Sequence, residues 1–250
     1  MKQCPIESVV LKGCTQIQDR KATSMPNITQ LLSEIQQEAE SASFPIDEPV
    51  YLAAGLNPTQ PILYGGNLNS QLCFFARDLG KDEVHASQPL IGAAGKLVRS
   101  GLYRAITQQT PTKSTDLQVV LDHVLLTNTV PYKPIGNKAY SQAVKKRFRP
   151  FIERLLVLHW QGNKIITLGN EAFDWFTPYT EKGVLQEFFK RSDRYSASIE
   201  ITIVAKDNTG NLHKKPVTLM PLPHPSPLNQ KYYSQFPQLL QDRLAKVLSL

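Results

Sequence analysis

Four side chains stand where this chain could do chemistry: Asp78, Asn128, His224 and Leu228. His224 and Leu228 belong to Leu222-Pro223-His224-Pro225-Ser226-Pro227-Leu228-Asn229. Three prolines at alternate positions fix φ and remove backbone donors there, which excludes helix and central strand. The segment reads as a stiff loop that presents an imidazole and an apolar wedge in a set order. Asp78 follows one short apolar run and Asn128 ends another. A carboxylate can orient a water and offset positive charge. An imidazole can hydrogen-bond an oxygen on which negative charge develops. An amide offers one donor and one acceptor and so reads an edge that carries one of each. Taken singly, each has a plain structural reading: an N-cap, a turn residue, a surface turn. The chemical reading requires a fold that brings them to one edge.

The elements predicted along the chain do this. Residues 27–41 read as a helix with Asn27 as N-cap and Ile28, Leu31, Leu32 and Ile35 on one face. Turn signals at residues 55–58 and 64–67 precede the apolar run Leu72 to Ala76, which fits a buried strand. A helix over 92–106, a strand over 122–127, a long helix over 137–158 and a strand over 164–168 follow, then a helix from Glu171 to Phe176. Residues 196–206 alternate and turn at 207–211, which predicts a β-hairpin. Val217 to Met220 is the strand feeding the proline loop, and residues 232–248 form the closing helix. Strands alternating with helices imply an α/β fold, a three-layer sandwich with a central, mainly parallel four-stranded sheet and a β-hairpin insertion. Ligands in such folds sit beyond the carboxyl ends of the strands. Arg77-Asp78, Asn128 and His224 all fall at such ends. Residues 1–48 read as an N-terminal arm and helix, and residues 49–250 as the α/β domain.

Composition narrows the partners. The chain has 250 residues, 41% hydrophobic and 20% charged, enough for one sizeable core and without a long run of one sign. A net charge of +7 favours an anionic partner, nucleic acid above all. Cys4, Cys14 and Cys73 form no CxxC pair and have no histidine at metal-ligand spacing, so they read as reduced thiols. No secretory core or membrane-length apolar run is present. These features imply a soluble, cytoplasmic, monomeric protein with no cofactor and no metal.

For an anionic partner such as DNA, the set suits excision of a base. The base must leave the stack, and an apolar wedge such as Leu228 could fill its place. The Asn128 amide complements the O4 and N3–H edge of uracil, while cytosine presents the opposite pattern. Breaking the N-glycosidic bond puts negative charge on the base and positive charge on the sugar. His224 could serve the first and Asp78 the second.

The same residues carry a resemblance to the uracil-DNA glycosylase superfamily, from about Pro61 to the C-terminus. Tyr64-Gly65-Gly66-Asn67 through Gly80, and Gln88-Pro89-Leu90-Ile91-Gly92-Ala93-Ala94-Gly95, resemble the first two blocks of its bacterial and archaeal iron–sulfur branch. Thr127-Asn128-Thr129-Val130 and the strand Ile165 to Gly169 resemble that branch too. His224-Pro225-Ser226-Pro227-Leu228 instead matches the last motif of the archetypal uracil-excising branch. The resemblance implies a monofunctional glycosylase of base excision repair acting on uracil or a related deaminated or damaged base. It implies Asp78 and His224 as catalytic groups, and Asn128, Leu90 and Arg77 as base-binding positions. Ser226 and Leu228 of the proline loop are expected DNA contacts, and Lys190, Arg191, Arg194, Lys214 and Lys215, which flank the hairpin and approach that loop in sequence, read as phosphate contacts.

The chain also departs from the pattern. It lacks the four cluster cysteines of the iron–sulfur branch. Arg77 stands where that branch carries the glutamate of GEAPG, and Asp78 falls where the archetypal branch carries the aspartate of GQDPY. Leu90 replaces the uracil-stacking phenylalanine, with an expected loss of about 1–3 kcal/mol of stacking. These departures motivate an alternative, a non-catalytic DNA-binding member of the same fold. Lys145, Lys146, Arg147 and Arg149 read as a solvated helix face. Glu83 could orient loop backbone, and Trp160 and Trp175 read as core.

Overall fold

The computed structural model describes residues 27–136, 138–227 and 229–248. The strands are β1 (Tyr64–Gly66), β2 (Leu72–Ala76), β3 (Val124–Asn128), β4 (Lys164–Leu168), β5 (Ile199–Lys206) and β6 (Leu212–Leu222). The helices are α1 (Ile28–Ser41), α2 (Glu48–Ala53), α3 (Lys81–His85), α4 (Ala93–Thr107), α5 (Gln142–Arg154), α6 (Asn170–Asp174), α7 (Val184–Lys190), α8 (Gln230–Tyr233) and α9 (Phe236–Leu248). The described strands form one sheet in the order β1-β3-β2-β4-β6-β5. The inner four, β3, β2, β4 and β6, run parallel, and β1 and β5 pair antiparallel at the two edges. The expected parallel four-stranded centre is therefore present within a six-stranded mixed sheet.

The hairpin is part of that sheet rather than an insertion. β6 is long enough to serve two partners. Its Leu212 to Leu219 stretch pairs with β5, while Thr218 to Leu222 pairs with β4. Pro216 and Pro221 interrupt the apolar pattern of this strand, which is why only its middle was predicted.

Alternation along the strands builds two cores, one on each face. Leu72 and Phe74 point one way with Val98, Leu102, Met220 and Leu240, under α4 and α9. Cys73 and Phe75 point the other way with Leu31, Phe148, Ile152 and Phe173, under α1, α5 and α6. The α1 helix starts at Asn27, whose side chain accepts the Thr29 N–H at 2.9 Å, as its N-cap role predicts. The long helix is shorter than predicted. The difference lies at its start, where the Ser141 hydroxyl accepts the Val144 N–H at 3.4 Å and caps α5; past Arg154 the chain continues through a π-helical turn, Leu155–His159, close to the predicted end.

Two ionic groups, the half-buried Glu83 and the buried Arg99, pin the loops beyond β2. Glu83 Oε2 accepts the Gly80 N–H at 3.0 Å, and its Oε1 accepts those of Ile91 and Gly92 at 3.1 and 3.0 Å. Arg99, 2% exposed, donates to the Leu90 carbonyl at 2.7 Å, the Pro89 carbonyl at 2.9 Å and Gln88 Oε1 at 3.0 Å. Charge-assisted bonds of this kind are the strong ones, so the segments 77–83 and 88–92 are held as one rigid unit. Glu83 thus orients loop backbone, as expected. Leu90 sits at φ +55°, a strained value for a branched residue. Its carbonyl lies so close to Gly95 that a Cβ there would be 2.0 Å away.

Candidate active site

The parallel register sets the carboxyl ends of the inner strands side by side. Ala76 of β2 pairs with Asn128 of β3, and Leu168 of β4 pairs with Leu222 of β6. Neighbouring strands lie about 5 Å apart, so the ends of β2 and β6 are separated by roughly 10 Å. Arg77-Asp78, Thr129, Gly169 and Pro223-His224 therefore leave the sheet along one edge. Thr129 fastens two of these exits together. Its N–H meets the Ala76 and Arg77 carbonyls, both at 3.0 Å, and its hydroxyl donates to the Arg77 carbonyl.

Asp78 lies beneath Arg77. Its side chain is 3% exposed, and Arg77 Nε approaches Oδ2 at 3.0 Å as an ion pair. Beyond that ion pair, the carboxylate is reached by a backbone hydrogen bond from Tyr140 and makes no side-chain hydrogen bond of good geometry among the described residues. Burial pushes the carboxyl up to about 6, against the pull of the Arg77 and Lys145 charges and with a further push from Glu171. Asn128 is 2% exposed, and its amide oxygen is buried without a partner. The Tyr140 and Thr167 hydroxyls share this condition. Thr167 is one residue from the end of β4, and the Asp78 charge reaches Tyr140 strongly enough to oppose its ionisation after burial has already done so. Buried polar groups without a protein partner can accept one from a ligand or water, and Asn128 and Thr167 offer such atoms near the strand ends.

His224 is placed by the backbone around it. The Asn229 amide donates to the His224 carbonyl at 3.0 Å and closes the proline loop on itself. Behind the imidazole stands Gly169, at φ +88°, where a Cβ would meet His224 Cβ at 3.0 Å. Only glycine supplies both that conformation and that close approach. Burial and then the Arg77 charge hold the imidazole below its ordinary value, so it is neutral at pH 7.

Glu171 links these groups and was not singled out from the sequence. It pairs with Lys145 at 2.5 Å and with Arg77 at 3.5 Å. Burial opposes its ionisation, but the Lys145 hydrogen bond and charge and the Arg77 charge outweigh this and hold it below the ordinary carboxylate range. The Lys145 to Arg149 cluster is accordingly not one solvated face. Lys145 is buried against Glu171, Arg147 pairs with Glu38, and Arg149 stacks 4.1 Å from the Trp175 ring, leaving Lys146 exposed. An alternation of charge with burial is invisible in a run of basic letters. Trp160 and Trp175 are core, at 1% and 3% exposure.

A cleft of about 480 Å³ runs between the ends of β4 and β6, lined by Arg77, Gly169, Glu171, His224 and Asn229 and walled by the segment after α7 and by α8. The other expected site residues are distributed differently. Leu90 packs in the core with Phe74, Ala76 and Val98, and its main chain rather than its side chain is the part held by Arg99. Lys214 and Lys215 are not brought to the cleft. They precede Leu222 by eight and seven residues on β6, roughly 25 Å away at about 3.3 Å per residue. Lys215 Nζ donates to the Leu156 and Trp160 carbonyls and lies 4.6 Å from the Trp160 ring, so it is a structural cation. Ser226 lies in the loop, its carbonyl accepting the Asn229 N–H at 2.8 Å, and Leu228 lies outside the described residues. Cys73 is fully buried in β2, and Cys4 and Cys14 lie outside the described residues, so the described donors do not fit an iron–sulfur cluster. Among the described residues no helix is long and apolar enough to cross a membrane.

A family model described as Uracil DNA glycosylase superfamily matches residues 64–248. No curated protein matches the chain.

Proposed function

The chain belongs to the uracil DNA glycosylase superfamily, and from that premise we propose that it hydrolyses the N-glycosidic bond of uracil, or a related deaminated or damaged base, flipped out of DNA. Membership implies a DNA glycosylase of base excision repair. The observation that carries the finer reading is the buried Asp78 carboxylate, covered by Arg77, together with the partnerless buried Asn128 amide oxygen, on the sheet edge that also bears His224. The Asn128 oxygen lacks a partner that a flipped base would supply, and Asp78 holds an Arg77 ion pair that a water and a sugar cation would replace.

In this reading the C1′–N bond breaks with its electron pair moving to the base. Negative charge gathers on O2, and the neutral His224 imidazole donates a hydrogen bond to it. The sugar becomes an oxocarbenium ion, offset by the Asp78 carboxylate. Water held by that carboxylate adds to C1′ and passes its proton to Asp78, and the base anion is protonated from solvent. Asn128 reads the O4 and N3–H edge. Arg77, ion-paired over Asp78, must yield to the nucleotide, and a DNA phosphate is the partner that would draw it aside. Ser226 and Leu228 meet the duplex in this reading, and Leu90, its side chain in the core, contributes main chain and no aromatic platform beside the base. Residues 49–250 form the glycosylase domain of an intracellular monomer in this proposal.

Oligonucleotides carrying one uracil, single- or double-stranded, are incubated with the protein and then cleaved with alkali. Strand breaks at the uracil are the expected result, and their absence across a panel of deaminated and damaged bases would sink the proposal. The alternative, a DNA-binding member without catalysis, draws on the Arg77 guanidinium that caps Asp78. It predicts salt-dependent binding with no base release at any protein concentration.

Gly169 offers a second check. Gly169→Ala is expected to cost about 1–3 kcal/mol of stability through its left-handed backbone. By displacing the imidazole it is also expected to lower kcat about 10-fold to 100-fold. Urea unfolding and single-turnover base release measure the two separately. An unchanged kcat in the folded variant would remove His224 positioning from the argument.

A further inference from the structure

The cleft beside His224 has a wall that the reaction above does not use. It is made by Phe189, Arg194 and Tyr195, with Lys231 and Tyr232 from α8. Arg194 is held in one orientation. Its Nη1 donates to the Arg191 carbonyl at 3.0 Å and its Nη2 to the Tyr232 hydroxyl at 2.9 Å, while its Cζ lies 4.6 Å from the Tyr195 ring centre. Tyr195 and Tyr232 meet edge to face, with centroids 5.3 Å apart.

Charge makes this more than a packing cluster. Arg191 is satisfied by Asp193, and Arg77 shares Glu171 with Lys145, but no carboxylate among the described residues pairs with Arg194 or Lys231. Two cations without counter-ions stand beside aromatic rings in an open cleft. That combination suits a ligand with an anion attached to a flat ring, which is the chemistry of a nucleotide. The target base cannot be the ring concerned, because Asn128 and Asp78, which would hold it, do not line this cleft.

We propose that this wall is a second nucleotide subsite. It receives the nucleobase next to the target, unstacked onto Tyr195 and Tyr232, with its phosphate on Arg194 and Lys231. The inference rests on the glycosylase reading for the position of the target nucleotide. It adds a specificity: DNA whose flanking base is free to unstack binds best. Because the Arg194–Tyr232 bond ties the wall to the helix that follows the proline loop, occupancy would also brace the loop bearing His224.

The test uses single-stranded oligonucleotides carrying an uncleavable 2′-fluorinated deoxyuridine, with one flanking base at a time replaced by an abasic tetrahydrofuran residue. Removing the base on one particular side is expected to weaken binding about tenfold. Tyr195→Ala is expected to bind the intact strand about tenfold more weakly and to be indifferent to that removal. Tyr195→Leu, which keeps apolar contact with Phe189, is expected to behave likewise, and Tyr195→Phe to behave as the parent. Arg194→Gln is expected to lower the slope of log Kd against log salt by about one. Equal sensitivity to flanking-base removal in the parent and in Tyr195→Leu would overturn the proposal, as would no sensitivity in the parent. Base release by the parent is scored separately. Release without a flank effect removes the subsite alone, whereas a flank effect without release keeps the subsite and removes the catalytic reading.

Discussion

Asp78→Asn is expected to lower the rate of base release about 10²–10⁴-fold, to leave the Kd for uracil-containing DNA within about threefold, and to make the protein more stable at pH 7. The three effects share one cause. The carboxylate is buried, and desolvation outweighs the Arg77 and Lys145 charges and the Tyr140 backbone hydrogen bond, so its charge is held at a cost to the fold. That cost appears as a folded-state value of about 6. A carboxyl with a raised folded value binds its proton more tightly folded than unfolded. Its contribution to stability is therefore greatest at low pH and declines as pH rises from the unfolded value toward about 6. Above that window the penalty is complete, and the shift corresponds to at most about 3 kcal/mol. The amide carries no charge and escapes most of it. Arg77 loses its closer partner in the variant but keeps Glu171 at 3.5 Å, so the gain survives.

Activity follows the opposite direction. The reaction needs the ionised carboxylate, so single-turnover rates in the parent should fall as pH drops below about 6, while the fold gains from the same protonation. Base release across pH 4.5–8, paired with urea unfolding at the same pH values, separates these trends. A variant that loses stability at pH 7, or a parent whose rate is flat through pH 6, would remove Asp78 from its role.

How much of this was readable from the residues depends on whether a feature is local. The strand-end placement of Asp78, Asn128 and His224 was readable because each adjoins an apolar strand or a proline-rich exit, and parallel topology then places strand ends together. Glu83 was readable as a loop organiser, though its three backbone partners were not. The orphaned Tyr140 and Thr167 hydroxyls have no sequence signature, because lacking a partner is a property of the whole interior. The distance of Lys214 and Lys215 from the cleft is hidden for a related reason. They lie close to the proline loop in sequence, but an extended strand carries them to the far end of the sheet. Leu90 holds the position of a stacking aromatic, yet its positive φ and the Arg99 bond to its carbonyl turn its side chain into the core. The aromatic wall around Arg194 comes from residues 189–195 and 231–232, two segments joined only by folding.

His224→Ala is the second large effect, an expected loss of about 10²–10³ in kcat, the range for removing one donor to a developing oxyanion. Its pH behaviour differs from that of Asp78 in a way that separates the roles. Burial and the Arg77 charge depress the imidazole value, so the neutral form prevails at pH 7 and donates through one N–H. A histidine with a depressed folded value contributes stability above its unfolded value near 6.5 and loses it as pH falls through the depressed one. If the imidazole acted as a proton-donating cation, the parent's rate would climb on acidification. With a neutral donor it does not, and the acid limb belongs to Asp78. The His224→Ala variant should therefore show a lower plateau with the acid limb still near pH 6, whereas Asp78→Asn should lose that limb. His224→Gln keeps an N–H donor of similar reach and is expected to recover part of the loss, about tenfold above the alanine variant. A limb that moves in His224→Ala and stays in Asp78→Asn would exchange the two assignments. Equal rates for alanine and glutamine would show that the imidazole fills space beside Gly169 rather than meeting the departing base.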